Sequence, residues 1–403
     1  MFLIETRVRV SSDSRGFFTD ARPELEQIGK SVLQQVFVKG SKKGGSTVVK
    51  PNFTYMHDQV LSPVCGVITS PDFVAGFVQG LREIGNTNVI TSARGAGVVN
   101  HRKAGIYNVL DKYDIKLMEP MYDKFSDYGK NDLNWHKVPD PVVWKNIPTY
   151  RPIGDADNFF INMPKLKCHC LGLTTLSIKN LQGAVPTGYG HYCDRWDTYP
   201  LIAKTYGINF KRDFVQDFQQ RVEAAFLKHR AAGFKHWDYK KSYTKYEAKG
   251  GWEAFKKVRE NVEAKAEFMN DLPELMWDES WCQRALDSAT AIKPAINIIE
   301  GVIGRDGSGF YTGKDELCNV VIVGLSMPEV DAIGTYIMGH DPNELFYTRI
   351  AKERGIGECD PPKIDLYWIR NGRIEKANLA DVKRYRLGVN MHVWKETGER
   401  LFW

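Results

Sequence analysis

The sequence predicts an α/β fold with a mostly parallel sheet, flanking helices and a largely helical insertion. Three observations predict it. Short apolar stretches typical of strands alternate with helical stretches over residues 2–119, which indicates parallel strands joined by right-handed crossovers. The same alternation resumes after Pro294. Between these two parts, residues 200–290 carry apolar side chains spaced by four, which is the stripe of an amphipathic helix.

The first part of the chain alternates strands and helices. We interpret residues 2–10, 46–50, 88–92, 116–119 and 158–162 as strands, and residues 22–37, 71–84 and 101–113 as helices. In the first strand Ile4 and Arg7 fall on opposite sides, which predicts one wet face. Pro71 falls in the first turn of its helix, where proline is tolerated. Residues 120–150 show no apolar period and are interpreted as an ordered loop.

The second part repeats the pattern on the other side of the insertion. We predict strands at 294–299, 319–323 and 363–367, with helices at 328–338 and 343–354. The chain then divides into an α/β core over 1–199, the insertion over 200–290, and the rest of the core over 291–403. Within the insertion, residues 237–252 mix aromatic side chains with lysines. They favour a cap over the site, with a simple packing insertion as the alternative.

Composition excludes several classes of protein. At 403 residues the chain is too long for one ordinary core. No apolar run of about 18 residues occurs, so no membrane span is predicted. Glu5 and Arg7 stand where a signal peptide needs apolar residues. Seven cysteines, an odd number spread over a long chain, favour a reducing compartment. We therefore expect a cytoplasmic protein, and the sequence leaves its oligomeric state open.

The positive charge is local. The net charge is +6, and residues 211–265 hold 14 Lys and Arg against 8 Asp and Glu, so the rest of the chain is close to neutral. A basic stretch rich in aromatic residues is one way to bind nucleic acid. A solvated helical face explains the same residues more simply, and we favour it.

The strongest candidate site lies at the end of the strand that reaches Asn162. The stretch Pro164–Cys170 brings two lysines, a histidine and two cysteines close together. Residues 172–180 are interpreted as the start of a helix, whose free N–H groups favour an anion. Two lysines beside such a helix predict a pocket for a carboxylate or phosphate. Solvated charges at a strand end are the alternative.

Other strand ends carry polar residues as well. The four candidate ends are Lys50 to Asn52, Ser92 to Gly97, Asn162 to His169 and Glu300 to Gly309. Because ligands collect at the carboxyl ends of parallel strands, we expect these ends to converge. Glu300–Gly309 is interpreted as a glycine-rich loop, where Glu300 and Asp306 orient a lysine or act as a base. Asp331 begins a helix, and it either binds substrate or caps that helix.

A metal site is a competing interpretation of the same region. Its ligands would come from Cys168, His169, Cys170, His191 and Cys193, which suit zinc or iron and allow redox chemistry. The sequence has no Cys-x-x-Cys and no run of four cysteines of the ferredoxin kind. Packing thiols are the alternative.

These stretches together resemble domain-of-unknown-function family 362. The matching motifs are Lys50-Pro51-Asn52, Thr69-Ser70-Pro71, Pro164-Lys165-Leu166-Lys167-Cys168-His169, Lys179-Asn180, Gly183, Glu300-Gly301, Gly307-Ser308-Gly309, Pro328, Asp331-Ala332 and Met338 to Pro342. The resemblance covers roughly residues 44–195 and 290–365. Cys168 and Cys170 depart from it, since the family usually has small hydroxyl residues there. Many members carry a ferredoxin-like iron–sulfur module, so the absence of its cysteines here means that iron–sulfur chemistry is not carried over.

The leading hypothesis is an enzyme that acts on a small anionic substrate. The expected catalytic residues are Lys167, His169 and Lys179, and the expected substrate-binding residues are Lys50, Asn52, Lys165, Asn180, Asp306 and Asp331. His169 is the expected acid or base, because an unperturbed imidazole titrates near neutrality. A desolvated lysine among other lysines has a lowered pKa and can serve as a base or an amine nucleophile.

Overall fold

The computed structural model describes most of the chain outside the predicted insertion. The described residues are 1–36, 45–93, 98–119, 133–169, 172–186, 275–307 and 313–387, without 15, 55, 57–60 and 344, together with 224–225, 228, 392–394 and 400–402. Every structural statement below concerns these residues.

The described strands and helices alternate as the sequence predicts. The strands are β1 (Phe2–Glu5), β2 (Thr47–Pro51), β3 (Val89–Ser92), β4 (Leu117–Met118), β5 (Leu133–Lys137), β6 (Asn146–Tyr150), β7 (Phe159–Met163), β8 (Lys165–His169), β9 (Leu173–Thr175), β10 (Ile296–Arg305), β11 (Asp315–Gly324), β12 (Tyr367–Arg370), β13 (Arg373–Lys376), β14 (His392–Trp394) and β15 (Arg400–Phe402). The helices are α1 (Arg22–Val36), α2 (Pro71–Glu83), α3 (Val98–Lys103), α4 (Ile106–Lys112), α5 (Ser177–Asn180), α6 (Leu275–Ala291), α7 (Met327–Ile337) and α8 (Phe346–Glu353).

One large sheet organises the fold. Its strand order is β13-β12-β1-β11-β10-β7-β2-β3-β4, and β8 joins it beside β10 while pairing with β9. The pairs from β10 through β7, β2 and β3 to β4 are parallel, and so are β10 with β8 and β1 with β12. β11 runs antiparallel to β1 and β10. The fold class is confirmed: a mostly parallel sheet with flanking helices. Strands from both sides of the predicted insertion meet, since β7 pairs with β10.

Two hydrophobic cores cover the two faces of this sheet. Neighbouring residues of one strand alternate between them: Val48 of β2 packs in the core beneath α6, α7 and α8, and Val49 packs in the core beneath α1, α2 and α4. We call these the α7 face and the α2 face. The alternation follows from the two-residue period of a strand. It also means that a side chain's position along its strand decides which face it reaches.

Helices α1 and α2 pack at backbone contact on the α2 face. A Cβ added to Gly76 of α2 would lie 1.9 Å from the Glu26 carbonyl oxygen, and one added to Gly29 of α1 would lie 2.1 Å from the Phe73 carbonyl oxygen. The two helices therefore approach each other through glycines, and neither backbone can move without disturbing the core.

We expect Gly76→Ala to lower the free energy of unfolding by about 1–3 kcal/mol, because overpacking forces the two helices apart. Urea denaturation of the variant measures the loss. The matched control is Gln34→Ala on the exposed side of α1, which should stay within about 0.5 kcal/mol of the wild type. Equal denaturation midpoints for Gly76→Ala and the wild type would contradict the close packing.

The structure corrects several element assignments. Residues 133–150 were expected within a loop, and they contain the antiparallel β5–β6 hairpin. Pro148 in β6 hides the strand signal, although an edge strand accepts proline. The helix expected at 101–113 is divided into α3 and α4, because Gly105 takes a left-handed φ of 76°. The first strand ends at Glu5 rather than continuing to residue 10.

Two further assignments change near the site. Residues 300–305 were expected in a glycine-rich loop, and they form the second half of β10. The strand expected at 363–367 is displaced to Tyr367–Arg370, after a 3-10 turn. Residues 275–290, placed in the insertion, form α6, and its Trp281 and Leu286 are buried in the α7-face core. Most of 200–274, including the aromatic stretch 237–252 and the basic block 211–265, lies outside the described residues.

Among the described residues, no helix is both long enough and apolar enough to cross a membrane. The described cysteines are Cys65, Cys168, Cys282, Cys318 and Cys359, and all five are buried free thiols.

Candidate functional site

Strand β8 carries the centre of the candidate site. It continues β7 after Pro164 and runs past the end of β2, whose last residue, Pro51, pairs with Met163. Along β8, Leu166 and Cys168 pack in the α7-face core. The strand period therefore places the other three side chains on the α2 face. These are Lys165, Lys167 and His169, and each is at most 7% exposed.

Lys165 forms a buried ion pair with Glu300 across the sheet. The two residues are neighbours in the parallel β8–β10 register, and both side chains are fully buried. Glu300 also accepts hydrogen bonds from the backbone N–H groups of Ser70 at 3.2 Å and Val302 at 3.0 Å. Orienting a lysine is one of the two roles that the sequence suggested for Glu300. The charge of Lys165 is already compensated inside the protein.

Lys167 has a different environment from Lys165, although the two share a strand and a face. Its Nζ donates to the Val67 carbonyl oxygen at 2.7 Å, and no carboxylate of the described residues forms an ion pair with it. Burial lowers the pKa of Lys167 well below its usual value, and the nearby charges of Lys179, Lys165 and Arg305 lower it further. Burial and these charges therefore favour the neutral amine over the ammonium ion.

A network of asparagines occupies the α7 face at the same end of the sheet. Lys50 of β2 and Asn162 of β7 are neighbours in the parallel register. Asn180 of α5 connects them: its Oδ1 accepts from Lys50 Nζ at 3.2 Å, and its Nδ2 donates to Asn162 Oδ1 at 2.8 Å. Asn52 Nδ2 donates to the same Asn180 oxygen at 2.9 Å. Asn162 Nδ2 in turn reaches Asn297 Oδ1 at 2.9 Å.

The predicted polar residues thus form two clusters rather than one. Lys50 and Asn180 lie with their network on the α7 face, whereas Lys165 and Lys167 lie on the α2 face. We expected these residues to converge at the sheet edge. They lie in two groups instead, because successive residues of a strand point to opposite faces of the sheet. Lys179 of α5 lies close enough to Lys167 to lower its pKa, so it connects the clusters electrostatically.

Asp331 holds the short helix α5 in place. Its carboxylate accepts hydrogen bonds from the backbone N–H groups of Ser177 at 2.6 Å and Ile178 at 3.0 Å. Burial raises the pKa of Asp331 from 3.8 to about 7. The alternative that Asp331 caps its own helix is wrong, because it caps α5. The expectation of an open anion site at 172–180 also changes: β9 occupies 173–175, and a protein carboxylate fills the α5 N-terminus.

His169 and Lys179 both form hydrogen bonds within the site region. His169 Nδ1 accepts a hydrogen bond from the Gly172 N–H at 3.3 Å, which leaves Nε2 as the protonated nitrogen of the neutral ring. Lys179 Nζ donates to Gln182 Oε1 at 2.9 Å. Asp306 directly follows β10 and is half-buried. Its backbone N–H donates to the Lys314 carbonyl oxygen at 2.9 Å.

The structure gives Cys168 a packing environment. Its thiol is fully buried in the α7-face core, on the side of β8 opposite His169, and burial raises its pKa well above the usual value. A metal ligand needs a thiolate, which this environment disfavours. No group of three or more metal-ligating side chains occurs among the described residues. Cys170, His191 and Cys193 lie outside them.

Sequence reasoning missed two buried groups beside the site. Arg305, the β10 neighbour of Lys167, forms an ion pair with Asp315 at 2.8 Å. Asn297 closes the asparagine network. The sequence does hold a signal for Asn297, since it interrupts the apolar run Ile296–Ile299 of a buried strand. A polar residue there needs a hydrogen-bonding partner.

Comparison with known proteins gives one match. The family model described as domain of unknown function (DUF362) matches residues 47–336, which include β2, β7, β8, α5 and β10. No match was found among curated proteins or among solved structures. The matched range contains the residues of both clusters.

Proposed function

The chain belongs to the DUF362 family, and on that premise we propose that it is an enzyme acting on a small anionic substrate, a carboxylate or a phosphate. The catalytic residues in this proposal are Lys167, His169 and Lys179. Lys50, Asn52, Asn180 and Asp306 bind the substrate. Lys165 and Asp331 position neighbouring elements and do not contact the substrate. Lys165 already pairs with Glu300, and the Asp331 carboxylate already accepts hydrogen bonds at the N-terminus of α5.

The observation that carries the proposal is the buried amine of Lys167. A lysine that only stabilises a fold is expected to keep its charge by snorkelling to water or pairing with a carboxylate. Lys167 is 2% exposed, and its Nζ contacts a backbone carbonyl oxygen while other cations surround it. This arrangement costs stability, and a pKa displaced by burial and by specific charged neighbours is characteristic of functional sites.

The neighbouring cations account for the preference for an anion. Lys179 and Arg305 both act on Lys167 electrostatically, and Arg305 is already paired with Asp315. In a site of low dielectric a bound carboxylate or phosphate would interact with the charge of Lys179 more strongly than in water. Asn52 Oδ1 is buried and accepts no hydrogen bond from the described residues, so it is free to accept one from a substrate donor. His169, on the same strand face as Lys167, supplies or removes the proton.

Turnover of a panel of small carboxylates and phosphate monoesters, followed by mass spectrometry, tests the proposal. We expect Lys167→Ala and His169→Ala each to abolish turnover while the circular dichroism spectrum stays unchanged, because each removes a catalytic group. The matched controls are Lys116→Ala, an exposed lysine just before β4, and His136→Asn in the β5–β6 hairpin. Unchanged turnover in both site variants would end the proposal.

Binding provides a test that does not depend on finding the reaction. The same carboxylates and phosphates should raise the melting temperature of the wild type by mass action. The increase should shrink in Lys179→Met and stay the same in Lys116→Met. If no small anion raises the melting temperature, the substrate class is wrong.

A further inference from the structure

Strand β8 carries two buried lysines that differ in their partners. Lys165 and Lys167 are two residues apart on one face, and both are almost completely buried. Lys165 Nζ is paired with the Glu300 carboxylate. Lys167 Nζ has a backbone carbonyl oxygen as its partner. The strand therefore holds one lysine paired with a carboxylate and one whose surroundings favour the neutral amine, and only a neutral amine has a lone pair with which to attack.

The contacts of Lys167 also direct that lone pair. One N–H of the amine donates to the Val67 carbonyl oxygen at 2.7 Å, so the lone pair points away from that oxygen. Arg305 is its neighbour in β10, and Lys179 lies nearby, so positive charges flank the nitrogen. They oppose protonation of the amine and attract an anionic group on an incoming molecule.

We infer that Lys167 is a nucleophile that forms an imine with the carbonyl carbon of a small anionic carbonyl compound, such as a 2-oxo acid. This rests on the proposed function and names its substrate class more narrowly. General acid–base chemistry alone would be served by His169 and would not need a buried amine whose surroundings favour the neutral form in the same strand. A carbonyl substrate gives that amine its role.

The step balances without any further reactant. The Lys167 nitrogen lone pair attacks the carbonyl carbon, a C–N bond forms as the C=O π bond breaks, and one nitrogen proton passes to the former carbonyl oxygen to give a carbinolamine. The second nitrogen proton passes to the hydroxyl group, to which the His169 Nε2–H donates a hydrogen bond. That group leaves as water while the nitrogen lone pair forms the C=N bond. The anionic group of the substrate remains beside Lys179 throughout.

Reductive trapping tests this inference on the full-length wild type. Glyoxylate, a small anionic aldehyde, is added with sodium cyanoborohydride, which delivers hydride to an imine and leaves a carboxymethyl group on the lysine. Peptide mass spectrometry then measures the rate at each lysine. We expect Lys167 to react at least about tenfold faster than Lys165, because Lys165 is paired with a carboxylate and the surroundings of Lys167 favour the neutral amine. The same reaction in urea should bring the two rates together.

A neutral aldehyde separates nucleophilicity from anion recognition. With formaldehyde in place of glyoxylate, the rate at Lys167 relative to the exposed Lys116 should fall several-fold, because the flanking cations no longer attract the reagent. Inorganic phosphate should slow glyoxylate trapping at Lys167 and leave Lys116 unaffected.

The outcomes distinguish this inference from the proposed function. If Lys167 is trapped no faster than Lys165 while phosphate still raises the melting temperature, imine formation is wrong and the anion-binding enzyme stands. If Lys167 is not trapped and no anion stabilises the protein, both fail. Rapid trapping at Lys167 that phosphate suppresses supports both.

Discussion

Glu300→Gln is expected to lower the free energy of unfolding by about 3–5 kcal/mol, the cost of breaking one partner of a buried ion pair. Lys165 and Glu300 are both fully buried, so the remaining charge has no water to solvate it. The Glu300 carboxylate also accepts N–H groups from Ser70 and Val302, and a glutamine has one acceptor oxygen instead of two. Urea denaturation at neutral pH measures the loss.

Two control variants distinguish the effect of an unpaired buried charge from other effects of replacing Glu300. Glu5→Gln removes a carboxylate that lies at the surface, and it should change stability by about 1 kcal/mol or less. The double variant Lys165→Met with Glu300→Gln removes both charges and should recover part of the loss, because no uncompensated ion remains. If Glu300→Gln is as stable as the wild type, the pair does not hold β8 against β10.

Asp331→Asn is expected to remove a pH-dependent change in the free energy of unfolding of up to about 4 kcal/mol. A difference of one unit between the folded and unfolded pKa values of a group changes this free energy by about 1.4 kcal/mol. The folded pKa of Asp331 is about 7, raised from 3.8 by burial. Between these two pH values the folded protein holds a proton that the unfolded chain releases. The contribution to stability is therefore present below about pH 4, falls as pH rises, and levels off above about pH 7.

The difference between the wild type and Asp331→Asn isolates this group, because other buried carboxylates such as Asp72 and Asp315 are common to both proteins. Tyr347, whose hydroxyl group lies 3.5 Å from Asp331 Oδ2, is also present in both. The control Asp365→Asn changes an exposed carboxylate and should give a pH profile parallel to that of the wild type. Parallel profiles for Asp331→Asn and the wild type would show that Asp331 titrates normally.

The same substitution bears on the site. The amide oxygen of an asparagine can accept a hydrogen bond from one of the two α5 N–H groups. The NH₂ group of the asparagine is itself a donor, so the other α5 N–H group has no acceptor. We therefore expect α5, which carries Lys179 and Asn180, to be held less firmly. This links the stability of the helix N-terminus to the positions of two proposed site residues.

Local patterns in the sequence were sufficient for the fold class and for many elements. Helices α1 and α2 end within one residue of their predicted limits, because apolar period and the proline at residue 71 are local signals. The segment Pro164–His169 was proposed as the centre of the candidate site for a local reason as well, because so many reactive side-chain types follow a buried strand. The β5–β6 hairpin was missed, since proline and aromatic residues there mask the strand period.

Only the tertiary structure decided which candidate residues share a face and which charges are compensated. Lys165 and Glu300 lie 135 residues apart in the sequence, and the β8–β10 register brings them together. That register leaves Lys167 beside Arg305, and no carboxylate in the described part of the chain pairs with it. Because successive strand residues alternate between faces, a shift of one residue would exchange the two cores and their polar clusters. The sequence identified the candidate residues, and strand pairing placed Lys167 where none of the described carboxylates pairs with it.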